Sequence, residues 1–290
     1  MSKVYISSPA RTAGIIEQYQ FRFQKKFGQN FLIDDHIIEK ILDAAEIGDE
    51  DVVVEIGPGI GTLTERLLER AYHVLAVEID SNLIPILEET LSSYSNKTIL
   101  NADVLKVDLR GEVEKIKPGA KIKVVANLPY YITTPIVMEL LEGDVDFSSI
   151  TIMIQKEVAD RMCVGPGTKD YGALSLAVQY YCKPEFITMV SRHCFMPAPN
   201  VDSAVITLKK YENKPVQAKD EKFLFQVIKA SFAQRRKTLA NGIGNAADLP
   251  ISKQKAMEVL ASLGMNESIR GETLTLEEFA RLSDALKEQI

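Results

Sequence analysis

Two short segments of this 290-residue chain hold residues whose types and spacing could carry out chemistry. The first is the glycine-rich run Glu55–Gly61, which reads EIGPGIG and would let a nucleoside ligand approach the backbone closely. The second is Asn127–Tyr130, which reads NLPY and offers carbonyl acceptors, a rigid proline and an aromatic face to a flat base. Each segment alone is also typical of an ordinary turn. Together, in this order, they predict methyl transfer to the amino nitrogen of a nucleobase.

The residues around the glycine run distinguish between nucleoside cofactors. A dinucleotide fingerprint would require its third glycine where this chain has Thr62, and the run contains no basic residue to meet a pyrophosphate. Glu55 would repel a pyrophosphate but suits S-adenosylmethionine, which carries a sulfonium and an ammonium group. Glu78 follows Gly57 by 21 residues, the spacing at which an acid meets ribose hydroxyls. Asp103 could accept a hydrogen bond from the cofactor's adenine amino group, although an acid that caps a turn would have the same pattern.

The second segment suits an adenine amino group that acts as a nucleophile. The lone pair of that nitrogen is delocalised into the ring, so the nitrogen reacts poorly until it becomes more tetrahedral. The side-chain carbonyl of Asn127 and the backbone carbonyl of Leu128 could each accept one of its N–H bonds and aim the lone pair at a methyl group. Pro129 would stiffen the turn and Tyr130 would stack on the base. No general base is needed before the attack.

The elements that must position these residues alternate along the chain. Strand and helix signals alternate from about residue 35 to 155, which predicts an α/β fold with a Rossmann-like parallel sheet. The predicted strands are Asp51–Ile56, His73–Glu78, Thr98–Leu100, Ile122–Ala126 and Thr151–Ile154, with a final hairpin of Phe186–Val190 and Val201–Leu208. A polar linker then leads into helical patterns. We predict an extended N-terminal arm at 1–30, the Rossmann-like domain at 31–212 and a smaller α-helical C-terminal domain at 213–290.

The charge of the chain is acidic overall and basic in two places. The net charge of −6 and the pI of about 5.3 contrast with the basic character of most nucleic-acid-binding proteins. The locally concentrated basic residues are Arg22, Lys25 and Lys26 near the N-terminus, and Arg235, Arg236 and Lys237 in the C-terminal part. Both clusters could follow RNA phosphates, although a solvated helix face would have the same pattern.

The remaining composition indicates a soluble cytoplasmic protein. The chain has no apolar run of about 18 residues that would cross a membrane, and its N-terminus lacks an apolar signal core. Its three cysteines are odd in number and lack metal-ligand spacing, and its three histidines are scattered. We therefore expect free thiols in a reducing compartment and no metal site.

Several further stretches complete a recognisable set of motifs. The set consists of EIGPGIGTLT at Glu55–Thr64, Glu78, Asp103, NLPY at Asn127–Tyr130, FGQNFL at Phe27–Leu32, FMPAPNVDSAV at Phe195–Val205, SFAQRRKTL at Ser231–Leu239 and RGETL at Arg270–Leu274. This set resembles the rRNA adenine N6-methyltransferases and, within them, the dimethyladenosine transferases of the KsgA/RsmA family. The resemblance extends from about residue 20 to the end of the chain.

The resemblance implies a role for each motif. S-adenosylmethionine would be the cofactor, and the residues that would hold it are Asn30, Leu32, Gly57, Gly59, Glu78, Asp103 and Asn127. Residues Asn127–Tyr130 would hold the target base, with Phe195 stacking on its other face. The substrate would be two adjacent adenosines in the 3′-terminal hairpin loop of 16S rRNA within an immature small ribosomal subunit. A base leaves its stack more easily in such a loop than in a duplex. We expect a monomer whose C-terminal domain recognises rRNA.

Three other functions fit part of the sequence. Large-subunit rRNA adenine N6-methyltransferases of the macrolide-resistance type share the fold and motifs, but they typically have Ile in place of Leu128 and lack the stretches at Arg235–Lys237 and Arg270–Leu274. A nicotinamide-dependent dehydrogenase is disfavoured by Thr62 and Glu55. A non-catalytic ribosome assembly factor could share the whole chain, and the intact motif residues argue only against a loss of catalysis.

Overall fold

The computed structural model describes residues 3–143, 145–234 and 236–290, with the exception of the side chain of Lys25. The chain forms two compact units. The first unit comprises the residues up to Ala159 together with Glu185–Lys210, and the second comprises Asp160–Pro184 and Tyr211–Ile290. Each unit therefore combines two separate stretches of sequence.

The strands of the described residues form one large sheet and one small sheet. In chain order they are β1 (Phe31–Leu32), β2 (Val52–Ile56), β3 (His73–Glu78), β4 (Lys97–Asn101), β5 (Ile122–Asn127), β6 (Phe147–Gln155), β7 (Cys182–Val190), β8 (Phe195–Met196) and β9 (Ser203–Lys210). The large sheet has the order β4-β3-β2-β5-β6-β9-β7, and β1 pairs with β8 separately. Strands β2 to β6 run parallel to one another, and β9 runs antiparallel to β6. The predicted α/β fold with a Rossmann-like sheet is confirmed.

Several helices begin directly after a residue whose side chain caps them. In chain order they are α1 (Pro9–Gln18), α2 (Asp35–Ala45), α3 (Thr64–Leu68), α4 (Ile84–Thr90), α5 (Leu109–Ile116), α6 (Thr133–Glu142), α7 (Lys156–Cys163), α8 (Ala173–Tyr181), α9 (Glu221–Phe232), α10 (Leu239–Gly244), α11 (Lys253–Ser262) and α12 (Leu276–Lys287). The carboxylate of Asp34 caps α2 by accepting a hydrogen bond from the backbone N–H of Ile37 at 3.2 Å. Thr275 and Glu278 form a capping box at the start of α12.

The strand order brings the two predicted segments to one edge of the sheet. Strand β2 is buried along its whole length and lies between β3 and β5. The chain continues from β2 to β3 on one side, whereas β5 on the other side leads to β6, so the order reverses between β2 and β5. In an open α/β sheet, ligands bind outside the carboxyl ends of the strands at such a reversal. The glycine run begins with the last two residues of β2, and the NLPY segment begins at the last residue of β5.

The prediction of an extended N-terminal arm is wrong for Pro9–Gln18, which form α1. Ser8 caps this helix by accepting a hydrogen bond from the backbone N–H of Arg11 at 3.3 Å. Pro9 occupies the first turn, where its missing N–H has no helical partner to lose. Thr12 and Ile15 are buried. Their spacing of three residues places them on one helix face, a signal too short to distinguish a helix from an irregular segment.

The second unit is helical apart from the first residues of β7. Its core is formed by large apolar side chains of α8 to α12, among them Leu224 and Phe279, together with Tyr171. The hydroxyl of Tyr171 donates a hydrogen bond to the backbone carbonyl of Leu274 at 2.9 Å, which satisfies this buried polar group. Residues 160–184 thus pack with the C-terminal helices.

Candidate active site

A cavity that is partly open to solvent lies in the first unit at the carboxyl edge of the sheet. The predicted site residues that line it are Asn30, Leu32, Gly57, Gly59, Glu78, Asp103, Asn127, Leu128, Pro129 and Tyr130. The structure therefore brings the glycine run, the two later acids and the NLPY segment together in one site. Of the residues predicted for catalysis or cofactor binding, Phe195 does not line this cavity.

The glycine run adopts a conformation that requires glycine at Gly59. This residue has a φ of +63°, and a Cβ atom there would lie 3.0 Å from the ring of Phe31. Both the backbone conformation and the close approach of an aromatic ring thus disfavour a side chain. The backbone N–H of Gly59 donates a hydrogen bond to Oε2 of Glu78 at 3.2 Å. The glycine run is therefore tied to the acid that ends β3.

Glu55 is a buried carboxyl group with unused hydrogen-bonding capacity. It is 1% exposed, lines the cavity, and its Oε2 has no hydrogen-bond partner among the described residues. Burial raises the pKa of Glu55 to about 8, and the charge of Glu78 adds to this shift. Buried polar groups in native proteins nearly always have partners. A cationic or hydrogen-bond-donating ligand in the cavity would complete this site.

Glu78 is held by backbone amides on both of its oxygens. Besides the bond from Gly59, Oε1 accepts a hydrogen bond from the backbone N–H of Asp80 at 2.8 Å. Burial raises the pKa of Glu78 to about 7, the two backbone hydrogen bonds oppose that shift, and the charge of Asp80 adds to it. Each carboxylate oxygen has a further lone pair, so Glu78 can still accept from a pair of hydroxyl groups.

The side chain of Asn127 has a fixed orientation. Its Nδ2 donates a hydrogen bond to the backbone carbonyl of Asn30 at 3.1 Å. A carbonyl only accepts hydrogen bonds, so the amide nitrogen must face Asn30 and Oδ1 must face the other way. Neither Oδ1 of Asn127 nor the backbone carbonyl of Leu128 has a hydrogen-bond donor in the described part of the chain. Two acceptors are thus available side by side at the end of β5.

The two residues that follow are fixed by contacts of their own. The carbonyl of Pro129 accepts hydrogen bonds from the hydroxyl of Thr133 at 3.1 Å and from the backbone N–H of Ile132 at 3.2 Å. The hydroxyl of Tyr130 lies 2.6 Å from Oγ of Ser203 at the start of β9. Because the hydroxyl end of Tyr130 is held, the direction of its side chain is restricted, which suits a stacking surface.

Asp103 both caps a turn and lines the cavity, which are the two roles that the sequence allows for it. Its carboxylate caps a short turn by accepting from the backbone N–H of Leu105 at 3.2 Å, and it pairs with Lys106 at 3.5 Å. Asp103 also lines the cavity and is half-buried. A carboxylate has four lone-pair positions, so the turn contact leaves capacity for a ligand amino group.

Phe195 lies in the hydrophobic core of the first unit and is 4% exposed. It belongs to β8 and pairs with Leu32 of β1 in the two-stranded sheet. This position supports Leu32, which lines the cavity, and it does not support direct stacking of Phe195 on a base. The stacking role stays a prediction.

Sequence reasoning missed several apolar and aromatic residues of the cavity. Ile79 is 44% exposed and directly follows Glu78, and Val104 directly follows Asp103. Tyr131 is 54% exposed and follows the NLPY segment. The signal that could have identified them is their position immediately after a predicted site residue, because the chain is still within reach of the ligand there.

The predicted RNA-binding residues are exposed where the structure describes them. Arg22 and Lys26 are exposed in the first unit, and the ammonium group of Lys26 lies 4.4 Å from the ring centroid of Phe27. Arg236 and Lys237 are exposed between α9 and α10 of the second unit. Arg235 and the side chain of Lys25 lie outside the described residues.

Within residues 3–143, 145–234 and 236–290, no group of three or more His, Cys, Asp or Glu side chains is arranged to hold a metal ion. None of the described helices combines the length and the apolar character that a membrane crossing requires.

Comparison with known proteins identifies similar sequences along nearly the whole chain. A family model described as ribosomal RNA adenine dimethylase matches residues 20–287. The protein named ribosomal RNA small subunit methyltransferase A of Lachnoclostridium phytofermentans is 57% identical over 287 residues, which is 99% of each chain. The protein of the same name from Alkaliphilus oremlandii is 50% identical over 285 residues, 98% of this chain and 99% of the relative.

Two solved structures share the fold over most of the chain. A dimethyladenosine transferase from Plasmodium falciparum has a TM-score of 0.73 and 28% identity, and the match covers 87% of this chain and 95% of the other. The 23S rRNA methyltransferase ErmE has a TM-score of 0.68 and 26% identity, with coverage of 89% and 100%.

Proposed function

The chain belongs to the ribosomal RNA adenine dimethylase family, and from that premise we propose that it uses S-adenosylmethionine to dimethylate N6 of two adjacent adenosines in the 3′-terminal hairpin loop of 16S rRNA. One observation carries this proposal. A single cavity is lined by the glycine run, by the acid Glu78 and by Asn127–Tyr130, so cofactor and target base can meet there. Family membership makes the chain an enzyme that methylates adenine in rRNA.

The residues of the cavity fit S-adenosylmethionine, which supplies a methyl group on a sulfonium centre when it is bound. Glu78 would accept the ribose hydroxyls, and the unpartnered Oε2 of Glu55 would face the positive end of the ligand. Ile79 and Val104 would cover the purine, with Asp103 accepting its amino group. Gly59 has no side chain and can let the ligand approach the backbone.

The residues of the NLPY segment would bind and orient the target adenine. Asn127 Oδ1 and the Leu128 carbonyl would each accept one N–H of the amino group, which favours a tetrahedral nitrogen. Because Asn30 holds the amide nitrogen of Asn127, this acceptor needs no reorganisation when the base arrives. The ring of Tyr130, fixed by Ser203, would stack on the base. Deprotonation of the amino group before the attack is not required.

The small ribosomal subunit is the favoured substrate. The two relatives whose names specify the small subunit are 57% and 50% identical to this chain, whereas the 23S rRNA enzyme ErmE is 26% identical. Leu128 and the stretches at Arg235–Lys237 and Arg270–Leu274 support the same choice. We propose that the substrate is 16S rRNA within an immature subunit and that the enzyme acts as a cytoplasmic monomer without a metal.

RNA phosphates would meet the basic residues of both units. The exposed Arg22, Lys26, Arg236 and Lys237 support this part of the proposal, and Lys25 and Arg235 belong to it from the sequence alone. The net charge of −6 implies that binding to bare RNA is weak, so that the folded subunit must supply much of the recognition.

The test is methylation of immature small subunits whose rRNA lacks the modification. We expect labelled S-adenosylmethionine to yield dimethyladenosine in the 3′-terminal hairpin and nowhere else. Asn127→Ala should abolish the label. Asn96→Ala is the matched control, because Nδ2 of Asn96 also donates to backbone carbonyls, at 3.0 and 3.2 Å, but Asn96 does not line the cavity.

Other outcomes would select the competing functions. Label confined to large-subunit rRNA would assign the chain to the resistance-type enzymes. Cofactor binding without label on either subunit would favour a non-catalytic assembly factor. Failure to bind S-adenosylmethionine at all would contradict the proposal at its first step.

A further inference from the structure

The N-terminal segment that lines the cavity is held by a buried carboxylate, Asp80, which itself lies outside the cavity lining. Asp80 is 2% exposed and lies two residues after Glu78. Its Oδ2 accepts a hydrogen bond from Nε2 of Gln29 at 2.7 Å, and both of its oxygens accept from Nε2 of Gln24 at 3.1 Å. The backbone and side-chain N–H groups of Asn82 donate to Oδ1 at 3.1 and 2.8 Å. Asp80 therefore has a full set of donors from two distant parts of the chain.

The two glutamines form a closed ring with Asp80. Oε1 of Gln29 accepts a hydrogen bond from the backbone N–H of Gln24 at 2.8 Å. A carboxylate can only accept a hydrogen bond, and a backbone N–H can only donate one. The side-chain amide of Gln29 therefore has one possible orientation, with its nitrogen towards Asp80 and its oxygen towards the backbone N–H of Gln24. The ring fixes residues 24–29 against the end of β3. We call residues 24–32 the cap segment, because residues 27–32 line the cavity.

The cap segment is connected to both halves of the active site. Asn30 follows Gln29 directly, and its carbonyl accepts the hydrogen bond that orients Asn127. On the other side, the backbone N–H of Asp80 donates to Oε1 of Glu78 at 2.8 Å. Asp80 thus contacts the cap segment through its side chain and the proposed ribose-binding acid through its backbone.

We propose that Asp80 is a positioning residue for the methyl-transfer reaction, which holds the cap segment in place over the cofactor. This inference rests on the proposed function, because it assumes that Glu78 and the cap segment contact S-adenosylmethionine. Asp80 acts through Gln24 and Gln29 and does not itself touch the ligand. Loss of its charge should loosen the cap segment and leave the sheet and the glycine run intact.

The test compares Asp80→Asn with the same substitution at another buried aspartate, Asp51. In the variant, the new amide nitrogen would face the glutamine amide nitrogens, so at least one hydrogen bond is lost. We expect the dissociation constant for S-adenosylmethionine to rise about tenfold, within the range usual for coupled sites. The KM for the cofactor should rise by a larger factor than kcat falls. Hydrogen exchange at the backbone N–H of Gln24 should accelerate, because its acceptor on Gln29 is no longer held.

Asp51→Asn is the control for a merely structural effect. Asp51 is 6% exposed, accepts a hydrogen bond from the backbone N–H of Gly48 at 2.8 Å and pairs with Lys123 at 3.0 Å, but it does not line the cavity. We expect Asp51→Asn to lower the melting temperature without changing cofactor affinity. Equal cofactor affinities for the two variants would overturn the positioning role of Asp80.

A double variant shows whether Asp80 affects cofactor binding through Gln29 or independently of it. If Asp80 works through Gln29, then Asp80→Asn combined with Gln29→Ala should weaken binding by less than the product of the two single effects. Multiplicative effects would also overturn the inference. Binding of S-adenosylmethionine by the unaltered chain is measured first, so that failure of the proposed function is distinguished from failure of this inference.

Discussion

The backbone N–H of Gly59 donates a hydrogen bond of 3.2 Å to Oε2 of Glu78. The bond joins the loop after β2 to the acid at the end of β3, so two of the proposed cofactor contacts are fixed relative to each other. It is possible because Gly59 has a φ of +63°, a conformation that residues with a side chain rarely adopt. The relative position of these two contacts is therefore set by the fold of the first unit.

A side chain at Gly59 should disturb both stability and cofactor binding. We expect Gly59→Ala to cost about 1–3 kcal/mol of unfolding free energy, because φ is positive and the new Cβ would lie 3.0 Å from Phe31. Affinity for S-adenosylmethionine should fall about tenfold or more, since the amide that holds Glu78 is displaced. Calorimetric titration and thermal melts would measure the two effects.

Gly119→Ala is the matched control for that variant. Gly119 also has a positive φ, +69°, but no atom lies within 4 Å of the position of its Cβ. The Gly119→Ala variant should lose stability through backbone strain alone and keep its affinity for the cofactor. Equal losses of affinity in both variants would contradict a specific role for Gly59.

Two substitutions at Tyr130 should separate its ring from its hydroxyl. Tyr130→Phe keeps the ring and loses the contact with Ser203, so we expect kcat/KM for the small subunit to fall by less than about tenfold. Tyr130→Ala removes the stacking surface, worth about 1–3 kcal/mol, and should lower kcat/KM by about 5- to 150-fold. Steady-state kinetics on immature subunits would measure kcat/KM for both variants. An alanine variant no worse than the phenylalanine variant would exclude stacking.

Cofactor affinity should increase with pH in the range from 5.5 to 7.5. Burial raises the pKa of Glu78 to about 7 and that of Glu55 to about 8, so both groups are largely protonated at the low end of this range. A cationic ligand favours the ionised carboxylates, and the gain approaches about tenfold per pH unit for each group that must ionise. The ammonium group of the ligand stays mostly protonated below about pH 7.5.

Glu55→Gln tests which carboxyl group causes this dependence. The substitution removes one titrating group and keeps its size, so the curve of affinity against pH should become shallower. Isothermal titration at several pH values would measure it. An identical slope in both proteins would show that Glu55 remains neutral when the cofactor binds.

The stability of the ligand-free chain should change with pH in the opposite direction. Between the ordinary pKa of about 4.5 and the raised values near 7 and 8, the folded chain retains protons that the unfolded chain has lost. Stability therefore decreases as the pH rises through that window. The decrease from one such buried group is on the order of 3–5 kcal/mol. Denaturant unfolding of wild type and Glu55→Gln would isolate the contribution of Glu55, because every other ionisable residue is the same in both proteins.

The sequence determined the fold class and the members of the site through local signals. A run of β-branched residues in Val52–Ile56 indicates a strand that is buried on both faces, and the glycines after it require a tight turn. The spacing to Glu78 and the residue types of Asn127–Tyr130 then specify which side chains reach the cavity. These features could be predicted because each depends on neighbouring residues and on the general rule that ligands bind at the carboxyl edge of such a sheet.

The orientation and the support of those residues depend on contacts that exist only in the tertiary structure. Asn127 and Asn30 are 97 positions apart, and Gln29 and Asp80 are 51 apart, so neither hydrogen bond leaves a periodic trace in the sequence. The burial of Phe195 likewise depends on the pairing of β1 with β8, which no local pattern specifies. Hydrophobic periodicity records which faces of an element are buried, whereas hydrogen bonds between distant segments depend on how the whole unit packs.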